Sequence, residues 1–148
     1  MTTDTGARAV QIARQWLGTP YRHQGSVLGA GADCLGLIRG IWRGLYGAEP
    51  LPVPPYTRDW SEPGGHEVLW QALDTVLRAK PVPEAALGDV ILFRMKSGAV
   101  AKHLGVQTCV GARAGFIHAY WGHGVVDSPL SPPWARRIVA RFAFRDGE

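Results

Sequence analysis

The chain has 148 residues, 46% hydrophobic and 19% charged, which excludes a disordered polyelectrolyte and suits one domain with one core. Its formal charge of +4 fits an anionic partner such as nucleic acid or cell-wall polymer, but the charges are too few and scattered to choose between them. No basic-aromatic module marks a nucleic-acid binder, and no apolar stretch is long enough to span a membrane. The N-terminus, MTTDTGARAVQIARQW, carries an acid and no continuous apolar run. It does not read as a signal peptide, so the expectation is a protein made and left in the cytoplasm unless an assembly or lysis carries it out. Two cysteines, Cys34 and Cys109, are too few for a disulfide framework.

In chain order, Val10, Ala13, Trp16 and Leu17 follow helical spacing and predict a helix over about 4–17. Thr3 or Asp4 can cap it, and Gly18 with Thr19-Pro20 stops it. Gly25, Gly29 and Gly31 punctuate the loop that follows. It is no phosphate-binding loop, since no Gly-Lys-Ser/Thr follows, and no dinucleotide fingerprint, since no strand pattern precedes it. Leu35, Ile38, Ile41, Trp42 and Leu45 form one apolar stripe, predicting a helix over 34–46 that Gly47 ends. A proline-rich connection, AEPLPVPPY at 48–56, leads to a third predicted helix over about 65–79, closed by Lys80-Pro81. After Pro83 the period becomes strand-like. Strands are predicted over 88–93, 100–106, 116–121, 125–127 and 138–144, with turns at 111–115 and 122–124 and a loop at 131–134. Helices first and antiparallel strands second is an α+β arrangement.

The chemistry centres on Asp33-Cys34. Asp33 is a good N-cap, which puts Cys34 in the first turn of a helix, where unpaired N–H groups and the helix dipole favour an anion. A thiol there is expected to ionise more easily and to act as a nucleophile. The same pattern also suits a small buried cysteine packed in the core. A bridge between Cys34 and Cys109 would remove the nucleophile.

A nucleophilic thiol needs a base, and the histidines are His23, His66, His103, His118 and His123. Strand alternation puts His103 and Gly105 on one face, and Gly105 is expected to leave space beside the imidazole. His118 lies mid-strand with Phe116 and Tyr120 on its face. Antiparallel pairing can bring the two histidines together, one as base and the other fixing its tautomer. A zinc site from Cys34, His103, His118 and His123 lacks a close ligand pair of the usual spacing.

Several pieces recur in the order of one known family: GTPYR at 18–22, the glycine loop, DCLGL at 33–37, GDV at 88–90, HLGV at 103–106 and FIHA at 116–119. On these the chain resembles the NlpC/P60 cysteine peptidases, a circularly rearranged branch of the papain-like fold. The likeness spans most of the chain outside the proline-rich insert. Within that family it is most similar to the short cell-wall peptidases encoded with phage or gene-transfer-agent tail genes, which the stretch LPVPPY at 51–56 and the N-terminus also fit. The resemblance implies an α+β domain over 1–148, its N-terminal helices packed on a five- to six-stranded antiparallel sheet, with a proline-rich and helical insert at about 47–83. It implies Cys34 as nucleophile, His103 as general base, His118 as the polar residue that orients it, and Tyr21 as a hydroxyl holding the oxyanion. Asp33 stays structural. Leu35 departs from the family, where many members have Ser, and sits beside the nucleophile. The implied reaction is hydrolysis of peptidoglycan stem peptides, at the bond between D-γ-glutamate and the diamino acid, with no metal or organic cofactor. The implied partners are the stem peptide and phage-like tail or baseplate proteins, with no nucleic acid and no membrane. An amidase, an acyltransferase or an inactive tail protein would share these features.

Overall fold

The structure is a computed structural model and describes residues 4–50 and 67–146. Two helices come first. α1 is Asp4–Gln15, with Ala9, Val10 and Ala13 on its buried face. Two-residue strands β1 (Ser26–Val27) and β2 (Gly31–Ala32) pair as a small hairpin within the glycine loop. α2 is Cys34–Tyr46, the expected span, and buries Leu37, Ile38 and Ile41. Then come α3 (Val68–Val76), β3 (Arg78–Lys80), β4 (Val90–Phe93), β5 (His103–Cys109), β6 (Gly115–Tyr120), β7 (Gly124–Pro129), α4 (Pro132–Ala135) and β8 (Ile138–Ala143).

Strands β3 to β8 form one six-stranded sheet in the order β3-β8-β4-β5-β6-β7, every pair antiparallel. Helices and sheet make the α+β class that the sequence led us to expect. Alternation sorts the strand residues onto two faces. Val90, Leu92, Leu104, Val106, Ile117, Ala119 and Phe142 join the core under α1 and α2. Ile91, Phe93 and Phe116 face the other way, into a second cluster closed by Met95, Leu130, Trp134 and Ile138. On that second face Arg141 is 3% exposed and fully occupied. It donates to Asp89 Oδ2 at 3.0 Å, Gln107 Oε1 at 2.8 Å and the Val82 carbonyl at 2.7 Å. A buried cation with this many acceptors ties β8 to β4 and β5.

Several element bounds differ from expectation. α3 is shorter than the predicted helix, because Leu77 turns extended and Arg78 to Lys80 pair with β8. The second long strand begins at His103, not Val100, and runs on to Cys109. The loop at 131–134 contains the short helix α4, with prolines at its first positions. The proline-rich stretch from Leu51, the start of the third predicted helix and His66 lie outside the described residues.

Candidate active site

The nucleophile position is built by local chemistry. Asp33 has extended backbone (φ −98, ψ −175), and its Oδ1 accepts from the Gly36 N–H at 2.7 Å. Its Oδ2 accepts from the Gln24 N–H, also at 2.7 Å, so one buried carboxylate starts α2 and pins the glycine loop to it. The loop lies so close that a Cβ on Gly36 would sit 1.7 Å from the Gly25 carbonyl oxygen. Only glycine fits there. The Arg22 N–H donates to the Ala32 carbonyl at 3.1 Å, and the Ala32 N–H to that of Pro20 at 3.0 Å. These bonds hold Tyr21 beside Ala32, two residues before Cys34.

The histidines descend diagonally across the sheet. Val106 pairs with Ile117 and Gln107 with Phe116; continuing that register sets Gly105 opposite His118 and His103 opposite Tyr120. His103 Nε2 and His118 Nδ1 lie 2.8 Å apart, so one donates and the other accepts. Across β6 the next diagonal step reaches β7, where Ser128 pairs with Phe116 and Val126 with His118. Ser128 Oγ lies 2.9 Å from His118 Nε2. The Trp134 ring covers this row, 5.5 Å from His103, 5.1 Å from His118 and 5.5 Å from Tyr120 between centroids.

Cys34 and His103 open into the same cleft of about 300 Å³, with Tyr21, Leu35, Tyr120 and Trp121. Tyr21 and Trp121 also border a second groove that carries Arg22, His23 and His123. Tyr21 and Trp121 thus stand between the thiol's cleft and a groove that carries the Arg22 guanidinium.

Electrostatics overturn one expectation. Burial pushes the Cys34 thiol up to about 12, and the neighbouring Asp33 carboxylate adds to it. Backbone hydrogen bonds pull the other way, from Leu104 on β5 first and from Leu35 and Cys34 at the helix start, as the sequence suggested, but desolvation outweighs them. The contact made by the thiol agrees: Sγ donates to the Lys102 carbonyl at 3.4 Å, which only the protonated form can do. Burial lowers His103 to about 3, with His118 adding, and lowers His118 to about 4, with His123 adding. At neutral pH the resting site therefore holds a neutral thiol and two neutral imidazoles.

The structure thus brings Tyr21, Cys34 and His103 into one cleft, with His118 directly behind His103. Of the other described histidines, His23 and His123 do not join that pair. His123 stacks on Tyr120 at 5.2 Å, and His23 lies 3.9 Å from Asp33. Among the described residues no group of three or more His, Cys, Asp or Glu side chains is placed to hold a metal ion. Cys34 and Cys109 are both free thiols. The space beside Gly105 belongs to a side chain, since a Cβ there would lie 2.6 Å from Phe116 Cδ2. The Phe116 ring packs on His118 at 4.2 Å, so Gly105 makes room for the ring that buries the relay. Ser128 and Trp134 carry no local sequence signal. An alternating pattern traced through to 128, and a lone tryptophan after two prolines, were the only available hints.

Comparison with solved structures finds the NlpC/p60 domain of the peptidoglycan hydrolase SagA, with a TM-score of 0.64 and 21% identity over 94% of this chain and 98% of that one. An NlpC/P60 family protein from Bacillus cereus matches with a TM-score of 0.62 and 22% identity, over 95% of this chain and 40% of that one. A lipoprotein-like NLP/P60 family protein from Staphylococcus aureus gives 0.64 and 19%, over 99% of this chain and 44% of that one. The chain thus spans less than half the length of these last two proteins. No family model matches the sequence, and no curated protein matches it. At these identities the likeness concerns architecture, and the architecture of this chain is that of the NlpC/P60 domains.

Proposed function

We propose that this protein is a cysteine peptidase that hydrolyses peptidoglycan stem peptides at the D-γ-glutamyl–diamino acid bond, serving as the cell-wall hydrolase of a phage-like or gene-transfer-agent tail. The observation that carries the peptidase reading is the meeting of Cys34, at a helix start, with His103 in one open cleft, His103 being joined to His118 at 2.8 Å. A small core cysteine needs neither the cleft nor the paired imidazoles. The resemblance of the motifs to wall peptidases, and a fold shared with the domain of a peptidoglycan hydrolase, supply the substrate class. The similarity to tail-associated members supplies the setting, with tail or baseplate proteins as partners and the particle as the place of delivery. The net charge of +4 suits an anionic wall surface.

The reaction is acyl transfer. As a stem-peptide carbonyl settles against Cys34, the thiol proton passes to His103 and sulfur attacks the carbon. The oxyanion is held by the Tyr21 hydroxyl and the Cys34 backbone N–H at the helix start. The His103 imidazolium then protonates the leaving amine, and the C–N bond breaks to give a thioester. Water, deprotonated by His103, clears the thioester and returns the proton to sulfur. The apolar side of the cleft, with Leu35 where relatives carry Ser, faces the uncharged atoms of the peptide. The Arg22 side faces its carboxylates.

The test is to incubate the pure protein with purified sacculi and identify the released fragments by mass. The expected products carry a newly freed amino group on the diamino acid and leave glycan strands uncut. A cut at the lactyl amide would reassign the protein as an amidase, and no release would point to a structural tail protein. Absence from purified particles would remove the tail role while leaving the peptidase.

A further inference from the structure

We propose that Ser128 is a positioning residue of this site: its Oγ accepts from His118 Nε2–H and thereby selects the tautomers that leave His103 able to take the proton of Cys34. The inference rests on the peptidase reading, in which His103 is the base, and extends the row of interacting groups by one residue on a third strand.

Each neutral imidazole has one N–H and one lone pair. His103 uses Nε2 toward His118, so Nδ1 is the nitrogen left to act as base. A base needs its lone pair there, which puts the His103 proton on Nε2, donating to His118 Nδ1. His118 Nδ1 must then be bare, and the His118 proton sits on Nε2. The atom facing Nε2 is Ser128 Oγ, at 2.9 Å. His118 is 0% exposed, so its N–H has no water to turn to, and a buried donor without an acceptor is costly. Ser128 is only half-buried, and its own hydroxyl proton can turn to solvent. A serine oxygen at this place therefore suits the protonated Nε2.

The opposite arrangement fails chemically. If Ser128 donated to Nε2, His118 would carry its proton on Nδ1 and donate to His103 Nε2. His103 would then hold its proton on Nδ1, with no lone pair for Cys34. Removing the hydroxyl drives the pair to that arrangement, because a bare ring nitrogen tolerates an empty neighbour better than an N–H does. Sheet geometry makes the contact reproducible. His103, His118 and Ser128 sit on β5, β6 and β7, each one diagonal step from the last, and Phe116 and Trp134 pack over His118.

The experiment compares wild type with Ser128→Ala and Ser128→Thr, all labelled with 15N-histidine and observed without substrate at pH 7.5. In wild type and Ser128→Thr, His103 and His118 are each protonated on Nε2; in Ser128→Ala both protons move to Nδ1. Sacculus digestion by Ser128→Ala falls roughly tenfold to a hundredfold, the effect of orphaning a buried N–H, mainly in kcat, and Thr restores it. Wild-type His118 protonated on Nδ1 overturns the proposal, as does Ser128→Ala with unchanged tautomers. Should wild type digest no wall at all, the tautomer shift still decides the role of Ser128, and only the peptidase reading falls.

Discussion

The neutral histidine pair makes stability depend on pH in a window where few other groups titrate. His103 and His118 sit at about 3 and about 4 in the fold, against an ordinary 6.5. Above pH 6.5 the folded and unfolded chains both hold neutral imidazoles, so the pair adds no pH dependence. As pH falls below 6.5, the unfolded chain takes up protons that the folded one refuses, and stability falls until the folded pair itself protonates near pH 4 to 3. One refused proton costs about 1.4 kcal/mol per pH unit. The unfolded chain protonates both imidazoles independently while the folded pair refuses both, so the drop from pH 6.5 to 5 is about 3 kcal/mol. That is a large part of a net stability of about 5–15 kcal/mol. Staying above pH 5 keeps out Glu49, whose carboxyl is held low chiefly by its hydrogen bond from Arg39 and loses stability only at lower pH. The assay is urea unfolding followed by circular dichroism at pH 7, 6 and 5, in wild type and in the double variant His103→Gln/His118→Gln. Wild type should lose about 2 M in its urea midpoint between pH 7 and 5, and the double variant very little. A wild-type midpoint that is flat over this range, or an equal drop in the double variant, refutes the buried neutral pair.

Four further outcomes follow from the site. Cys34→Ala ends wall digestion and leaves the circular dichroism spectrum unchanged, while Cys109→Ala does neither; full activity of Cys34→Ala would end the mechanism. At pH 7 iodoacetamide modifies the exposed Cys109 before the half-buried Cys34, read by peptide mass mapping, since the Cys34 thiol is held protonated; Cys34 reacting first would restore the acidic thiol expected from the helix start. Asp33→Ala loses roughly 3 kcal/mol in urea unfolding, from the two charge-assisted bonds of its carboxylate, the helix-capping one from Gly36 and the loop-pinning one from Gln24, and a loss under about 1 kcal/mol would contradict that account. Gly36→Ala forces the glycine loop off α2 and should cost both stability and activity, so an active variant with an unchanged urea midpoint would show that the loop is not seated as described.

What was legible in the sequence was local. α2 could be read to the residue because its cap, its apolar stripe and its terminal glycine lie within fifteen positions of one another, and each acts through the adjacent turn. The pairing of His103 with His118 was legible because a period of two and a single turn determine it. What escaped depends on more distant parts of the chain. Ser128 reaches the site through two diagonal steps over three strands, and a serine in a strand has no signature of its own. Trp134 covers the histidines because α4 turns it back over the sheet, a placement invisible in a run of prolines. The β1–β2 hairpin is too short to show a period. The protonated state of Cys34 escapes the sequence for the same reason: the helix start is a sequence property, but desolvation depends on everything that packs around the thiol.

The two faces of the sheet explain why the site is robust to all this distance. One slip of β5 in register would turn His103 under α1 and α2, away from His118, and carry Leu104 and Val106 out of the core. The hydrophobic core of the first face therefore enforces the geometry of the second, so the histidines need no covalent tie to stay aligned. The chain does tolerate irregularity in this strand pair, a shift between Gln107 and Cys109. It lies beyond Val106, downstream of both His103 and Gly105, so it bends the far end of β5 without disturbing the row that runs from His103 to Ser128. A second bulge placed between His103 and Val106 would be the damaging one. It would turn His103 to the opposite face from His118 and separate base from partner, even if every side chain were kept.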